Sequence, residues 1–326
     1  MDSIKNISVY VLLSVFGIMM LLPFLWMIST SVKSQLEVNK GNIGFIPIED
    51  YQEMSFNGSP HRVKIVKTVG DSSFIHIFND EGRIIRAYAK VSNSALHHVH
   101  RIKFHFENYV KAFNKVPFGR YFLNTIYVTL FTTIGVIFTS SLAAYAFARM
   151  RFVGKDAIFY LFISMMMVPQ PIYLIPSYVL LNHLGWIDTF QSLIVPWFAN
   201  IFTIFLLRQQ FMTIPQDLFD AAAIDGCSRF GMLWRIALPL SKHVIVTAGI
   251  FAIIGSWNSF MWPLVMTNSE SIRVLQVGLS YFSQESSSQT ALLMAASSFS
   301  IMPLVGLFLI AQKQIISSVA SSGIKG

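Results

Sequence analysis

"DAAAIDGCSRFGMLWRIALP", Asp220 to Pro239, lies between two long apolar blocks yet contains Asp220, Asp225, Arg229 and Arg235. Its local chemistry reads as two short helices around an elbow. Thr213 can cap a helix that starts near Pro215, and Asp217 and Asp220 fall in its first turns, where the dipole favours acids. The run "DAAAI" continues that helix with strong helix formers. Gly226 permits the left-handed turn that ends a helix. Ser228 can cap a second helix with Phe230, Leu233, Trp234 and Ala237 at three- and four-residue spacing, and Pro239 is expected to stop it. From pattern alone, such a pair can lie in a membrane interface or fit a groove on a soluble partner.

The flanking sequence supplies the setting. Of 326 residues, 54% are hydrophobic and only 12% charged, about half the charged share of a soluble domain, so the chain reads as a polytopic membrane protein. The excess of 24 basic over 16 acidic residues fits Lys and Arg collecting at cytoplasmic ends, and no basic-aromatic surface for nucleic acid accompanies it. The single Cys227 cannot form an intrachain disulfide. Six segments reach the roughly 20 residues needed to cross a hydrocarbon core: Val9–Thr30, Tyr121–Ala148, Ala157–Leu180, Gln191–Leu207, Val244–Met266 and Ala291–Gln312. The first is too long for a signal-peptide core and lacks a cleavage box, so it is read as retained. Pro169, Pro171 and Pro176 make the third a kinked or broken helix. Arg149, Arg151 and Lys155, then Arg208, Arg229, Arg235 and Lys242, then Lys313 and Lys325 fall on one side. That side is the cytoplasm, with both termini and the Asp220 region in it.

Residues 33–120 then form an extracytoplasmic insertion. Its basic balance does not oppose the orientation, because long domains translocate largely regardless of charge. "HRVKIVKTV" from His61 alternates with period two, and "FIHIF" from Phe74 meets the turn "NDEG", ending in Gly82, before "RIIRAYAKV" returns. This is a hairpin signature, so a small antiparallel β unit is expected over Tyr51–Ser94, leaning on a partner. "HHVH", His97 to His100, reads as a solvated loop, without the Cys or acidic spacing of a metal site. Met165, Met166 and Met167 read as core or lipid contact. The expected fold is thus an all-α polytopic membrane protein of six transmembrane helices, with a β-rich insertion between the first and second. Its divisions are 1–32, 33–120 and 121–326, the last holding a loop at 213–242.

The opening stretch resembles the cytoplasmic EAA loop in permease subunits of ATP-binding-cassette importers. The matching positions are Asp220, Ala221, Ala222, Asp225, Gly226, Cys227, Ile236, Leu238 and Pro239. Asp220 stands where glutamate is usual and Cys227 where alanine is usual. "ENYVKAF" (from Glu107), "FLNTIYVT" (from Phe122), "LAAYAFARMRF" (from Leu142), "WNSFMWPL" (from Trp257), "LLMAAS" (from Leu292) and "SSGIKG" (from Ser321) are similar to the carbohydrate branch, specifically the second permease of maltose-type systems. The insertion from Gln35 to about Lys103 departs from that pattern in length.

The resemblance implies an inner-membrane subunit of a bacterial or archaeal importer. It would work with a second permease, two ATPase subunits and an extracytoplasmic binding protein that delivers a sugar or oligosaccharide. The chain has no GxxxxGK[ST] phosphate cradle; it is not read as an enzyme, and no cofactor or metal is assigned to it, ATP and magnesium belonging to the ATPases. Phe219, Phe230, Leu233 and Trp234 would seat in the ATPase cleft, with Asp220 and Arg229 fixing register and Gly226 turning the elbow. Trp257, Asn258 and Ser259 in the fifth span, with Gln170 in the third, are candidate pathway residues, since a buried amide in lipid is costly unless paired. Gly278, Tyr281 and Phe282, in a long loop from Thr267, are candidate binding-protein contacts. Alternatives are an importer permease for a non-sugar solute or a membrane-anchored ligand sensor. A secondary transporter would need ionisable groups in its spans.

Overall fold

The computed structural model describes residues 2–41, 44–56, 58–78, 84–285 and 289–323. It divides into two compact units, Met1–Lys115 with Ser283–Phe299, and Val116–Phe282 with Ser300–Gly326.

The first unit begins with helix α1 (Asp2–Ser31). Its apolar stretch Val9–Ser31 is 23 residues long, enough to cross a bilayer, and is exposed along most of its length. A short helix α2 (Gln35–Asn39) follows, its N-terminus capped by Ser34, whose hydroxyl accepts the Glu37 N–H. Five strands come next: β1 (Ile48–Phe56), β2 (Ser59–Val69), β3 (Ser72–Phe78), β4 (Ile84–Ser92) and β5 (His97–Ile102). They form one sheet in the order β4-β3-β2-β1-β5, with every pairing antiparallel. The period-two stretches become β2, β3 and β4 as expected; the turn Asn79–Gly82 lies outside the described residues.

The sheet exceeds the predicted Tyr51–Ser94 unit by β5 and the start of β1. His97–His100 is therefore strand and not loop: Gln52 pairs with His98 and Asp50 with His100, and His98 Nε2 lies 2.8 Å from Asp50 Oδ1. β5 mixes polar and apolar side chains on both faces, His97, Val99 and Arg101 on one and His98, His100 and Ile102 on the other. It therefore carries no alternation for a sequence reading to detect. Among the described residues no group of metal-binding side chains forms there.

The apolar core of the sheet is small, built on Met54, Val63, Ile75 and Ile77. A buried charge cluster complements it. The Glu49 carboxylate, 2% exposed, takes Arg62 at 2.7 Å, Arg101 at 3.1 Å and His105 Nε2 at 3.0 Å. The other ring nitrogen of His105 meets Glu107 at 2.7 Å, the first residue of helix α3 (Glu107–Lys115). Burial alone would raise the Glu49 pKa, but Arg62, Arg101 and Lys103 outweigh it and hold the carboxyl below its ordinary value.

The second unit is helical. It comprises α4 (Phe118–Arg149), α5 (Lys155–Met165), α6 (Gln170–His183), α7 (Phe190–Ile194), α8 (Ile201–Thr213), α9 (Gln216–Ile224), α10 (Arg229–Met232), α11 (Leu238–Leu240), α12 (Lys242–Trp257), α13 (Met261–Met266) and α14 (Leu275–Glu285). The last helix, α15 (Thr290–Gly323), starts in the first unit and ends in the second. Helices α4 and α8 pack closely: Ala144, Leu207 and Phe211 are fully buried, and a Cβ at Gly135 would sit 2.0 Å from the Phe198 ring.

Among the described residues, four helical stretches are long and apolar enough to cross a membrane: Val9–Ser31, Phe118–Arg149, Phe190–Thr213 and Thr290–Gln312. The expected third span is two helices, α5 and α6, bent by 102° where Pro169 begins the turn into α6. The expected fifth, Val244–Met266, breaks between Trp257 and Met261, and α12 is bent by 84° from the helical run Arg229–Leu240 before it. The break in the third span is the one its prolines predict, whereas continuous hydropathy hid the break in the fifth. An apolar composition does not report whether each carbonyl finds its helical partner.

Candidate functional site

The 213–242 segment folds as a helix, an elbow and a second helix. Thr213, read above as a cap, is the last residue of α8 and donates its hydroxyl back to the Gln210 carbonyl at 2.8 Å. Helix α9 starts after Pro215 with no side-chain cap, because Pro215 already fixes the entry φ. Asp225 is its C-cap, Gly226 turns at φ +74°, and the Gly226 and Cys227 N–H groups return to Ala223 and Ala222, the closing pattern of a left-handed cap. Ser228 caps the second helix, accepting the Gly231 N–H at 3.1 Å. Pro239 does not stop that helix: the run passes through a wide turn at Leu233–Ala237 and on to Leu240. A proline lacks the N–H that an ordinary turn would need, and a wide turn can absorb the mismatch.

The apolar residues of this segment divide between two faces. Phe219, Leu233 and Ala237 are buried in a cluster with Ala144, Tyr145, Leu207 and Phe211. Phe230 and Trp234 stay exposed and pack edge-on at 5.9 Å, and Ile224 is 87% exposed at the elbow. Arg149, counted above only as a charge, is the clamp. Its guanidinium lies 4.4 Å over the Phe219 ring and donates to the carbonyls of Phe211 and Ile214 and to Gln216 Oε1 at 2.8 Å. Gln216 in turn donates to Asp220 Oδ1 at 2.9 Å. Ala221 is exposed and Ala222 half-buried, while Asp220, Asp225 and Arg229 are exposed.

Three of the four candidate pathway residues come together. Gln170, Asn258 and Ser259 line a cavity of about 370 Å³ that also takes Thr125, Trp197, Phe251, Gly255 and Trp262. Asn258 lies where α12 ends, its amide donating to the Ile254 carbonyl at 2.9 Å. Trp262 is held by an Nε1–H bond to the Ser192 carbonyl at 2.9 Å and meets Trp197 at 5.2 Å, near perpendicular. Trp257 turns away: it is 4% exposed, donates to the Ser300 carbonyl at 3.2 Å and packs edge-on against Phe122. It ties α12 to α15, and the wall it was expected to supply comes from Trp197 and Trp262. Gly255 carries no chemistry of its own, yet a side chain there would enter open space.

The stretch from Thr267, read as a loop, contains α14. Gly278 packs against Tyr121, where a Cβ would come within 2.2 Å of the ring, and Phe282 is fully buried beside Phe118. Only Tyr281 of the three expected contacts is exposed, 4.2 Å beneath the Arg273 guanidinium. Periodicity was available here, since Leu275, Gly278 and Phe282 recur at helical spacing. Asp188 secures the start of the stretch, its carboxylate accepting the Asn268 and Ser269 N–H groups at 2.8 and 2.9 Å. Burial would raise its pKa, but these bonds and Arg273 bring it below the ordinary value.

Residues 135–320 match the family described as binding-protein-dependent transport system inner membrane component. The chain is 35% identical over 224 residues, 68% of its length and 74% of the relative's, to the probable ABC transporter permease protein YurM of Bacillus subtilis. It is 35% identical over 222 residues to the arabinooligosaccharides transport system permease protein AraQ of the same organism, covering 68% and 79% of the two chains. It is 31% identical over 221 residues to the sulfoquinovosyl glycerol transport system permease protein SmoH of Agrobacterium fabrum, covering 67% and 78%. Among solved structures, a chain of a bacterial ABC transporter involved in the import of the acidic polysaccharide alginate shares the fold, with a TM-score of 0.70 at 21% identity over 96% of each chain. That coverage takes in the five-stranded sheet as well as the helices.

Proposed function

The chain belongs to the family of binding-protein-dependent transport system inner membrane components, and we propose that it is the permease subunit that passes a sugar or oligosaccharide across the inner membrane. The observation that carries the substrate class is the cavity where Gln170, Asn258 and Ser259 meet Trp197 and Trp262. Amide and hydroxyl groups suit the hydroxyls of a sugar, and flat indoles suit its C–H faces. The break after Asn258 supports this reading, because irregular backbone at membrane depth is tolerated only where it is buried in protein or lines a cavity. The naming of AraQ and SmoH as permeases for glycosides points the same way.

In this reading α5 with α6 is one span and α12 with α13 another, giving six with the four long stretches. Both termini and the 213–242 segment lie in the cytoplasm and the five-stranded sheet outside. A second permease completes the pathway, a binding protein delivers the sugar, and two separate ATPase subunits hold ATP and magnesium. The chain's own part is mechanical. Phe219 and Leu233 root the elbow in the bundle, Ile224, Phe230 and Trp234 offer an apolar face to the ATPase, and Arg149 relays displacement to the ends of α4 and α8. Asp220, Asp225 and Arg229 set the register of that contact.

The test is the complete assembly in lipid nanodiscs with its binding protein, screened for ATP hydrolysis against neutral oligosaccharides, acidic oligosaccharides, polyol phosphates and peptides. Stimulation by an oligosaccharide is the expected result. Stimulation by a peptide or a polyol phosphate alone would replace the substrate class. In the Gly226→Val variant, where a β-branched residue meets positive φ, hydrolysis should lose its dependence on sugar while membrane insertion is unchanged.

A further inference from the structure

Two separate segments of the first unit are pinned to the C-terminal end of α1. One is Gly44–Phe45: the Ser29 hydroxyl donates to the Phe45 carbonyl and the Lys33 ammonium to the Gly44 carbonyl. The other is the link from β5 to α3: the His105 N–H donates to the Val32 carbonyl at 2.8 Å, and the Asn108 side chain donates to the Ser31 and Lys33 carbonyls at 2.8 Å each. Ser31 is also the last residue of the apolar stretch Val9–Ser31. Both segments therefore stand at the depth where the hydrocarbon core gives way to water.

At that depth they turn apolar side chains outward. Phe104 and Phe106, on either side of buried His105, are 52% and 65% exposed and stack with ring centroids 5.9 Å apart. Phe45, Ile46, Ile102 and Val110 are exposed as well. A water-facing loop gains nothing from such side chains, whereas the headgroup boundary accommodates aromatic rings. Exposed Lys111 stands among them, with a charge that suits lipid phosphates.

The geometry points to a lipid-seated collar: the exposed side chains of Phe45, Ile46, Ile102, Phe104 and Phe106 dip into the headgroup layer of the leaflet at the C-terminal end of α1. The collar fixes the height of the sheet above the membrane. Because Glu49 and Glu107 both grip His105, the same histidine carries that height to the sheet on one side and to α3 on the other.

The experiment uses the full chain in its assembled complex in nanodiscs. Cys227 is this chain's single cysteine, so the Cys227→Ala chain, labelled with nitroxide before assembly, takes the label only at Phe106→Cys or, as a second variant, Ile102→Cys. Tyr88→Cys on β4, the edge strand opposite β5, is the water reference. Power-saturation measurements compare collisions with oxygen and with a water-soluble nickel chelate. The collar predicts a several-fold shift toward oxygen at residues 102 and 106 relative to residue 88. Chelate access equal to that at residue 88 would overturn it in favour of water. Low access to both reagents would overturn it in favour of a protein neighbour. The readout does not depend on which solute is carried, so it stands apart from the substrate test.

Discussion

The Glu49 cluster and the Pro215–Leu240 segment solve opposite problems. Around Glu49 the chain closes its own interactions: a buried carboxylate gathers Arg62, Arg101, Lys103 and His105 in a sheet with few buried aliphatic residues. In the 215–240 segment the chain closes only half. Phe219 and Leu233 are buried, while Ile224, Phe230 and Trp234 remain in the open. Closed interactions hold a fold, and unclosed apolar ones mark where a partner is expected. The two regions should therefore fail in different ways when mutated.

Leu233→Ala should give the largest effect, a loss of about 3 kcal/mol for a fully buried leucine, read as a fall in the melting temperature of the purified chain. If its melting temperature is unchanged, the inner face of the segment is not an anchor. Glu49→Gln comes next. Removing one partner from a buried ion cluster costs about 3–5 kcal/mol, and the half-exposed Arg101 and Lys103 can recover solvent, which leaves about 2 kcal/mol. The sign with pH follows from the lowered Glu49 pKa. The stabilisation is fully present above the unfolded carboxyl value of about 4.3 and is lost as pH falls through the lower folded value. Hydrogen exchange of the β1 and β5 amides between pH 7 and pH 3 should show that loss in the parent chain and a much flatter profile in the Gln variant.

Phe230→Ala is the smallest in stability and the sharpest in meaning. It should leave melting within about 0.5 kcal/mol while weakening retention of the ATPase subunit by roughly tenfold, the share of a moderate hot spot. A variant that melts early but retains the ATPase would reverse the comparison and make Phe230 part of the fold.

Much of this was legible in the sequence because it depends on local chemistry. The glycine elbow, the Ser228 cap, the long apolar stretches and the period-two strands each follow from residues within one or two turns of each other. The mechanism-bearing details were not. Pro239 looked like a terminator because the wide turn before it has no sequence signature, and "HHVH" looked like a loop because β5 becomes a strand only by pairing with β1.

What the sequence determined by itself was therefore a membrane chain with a charged helix pair between apolar blocks, since composition and periodicity are properties of segments. Which side chains face each other is a property of pairs distant in the chain, and only the tertiary structure decided it. Arg149 became a clamp because α4 ends beside Phe211 and Gln216. Trp257 left the cavity because the Ser300 carbonyl, 43 residues away, takes its N–H. Phe282 moved from a surface loop to the interior because Phe118 stands opposite it. Segment propensities are sums over neighbours, whereas burial depends on which neighbours the fold brings together.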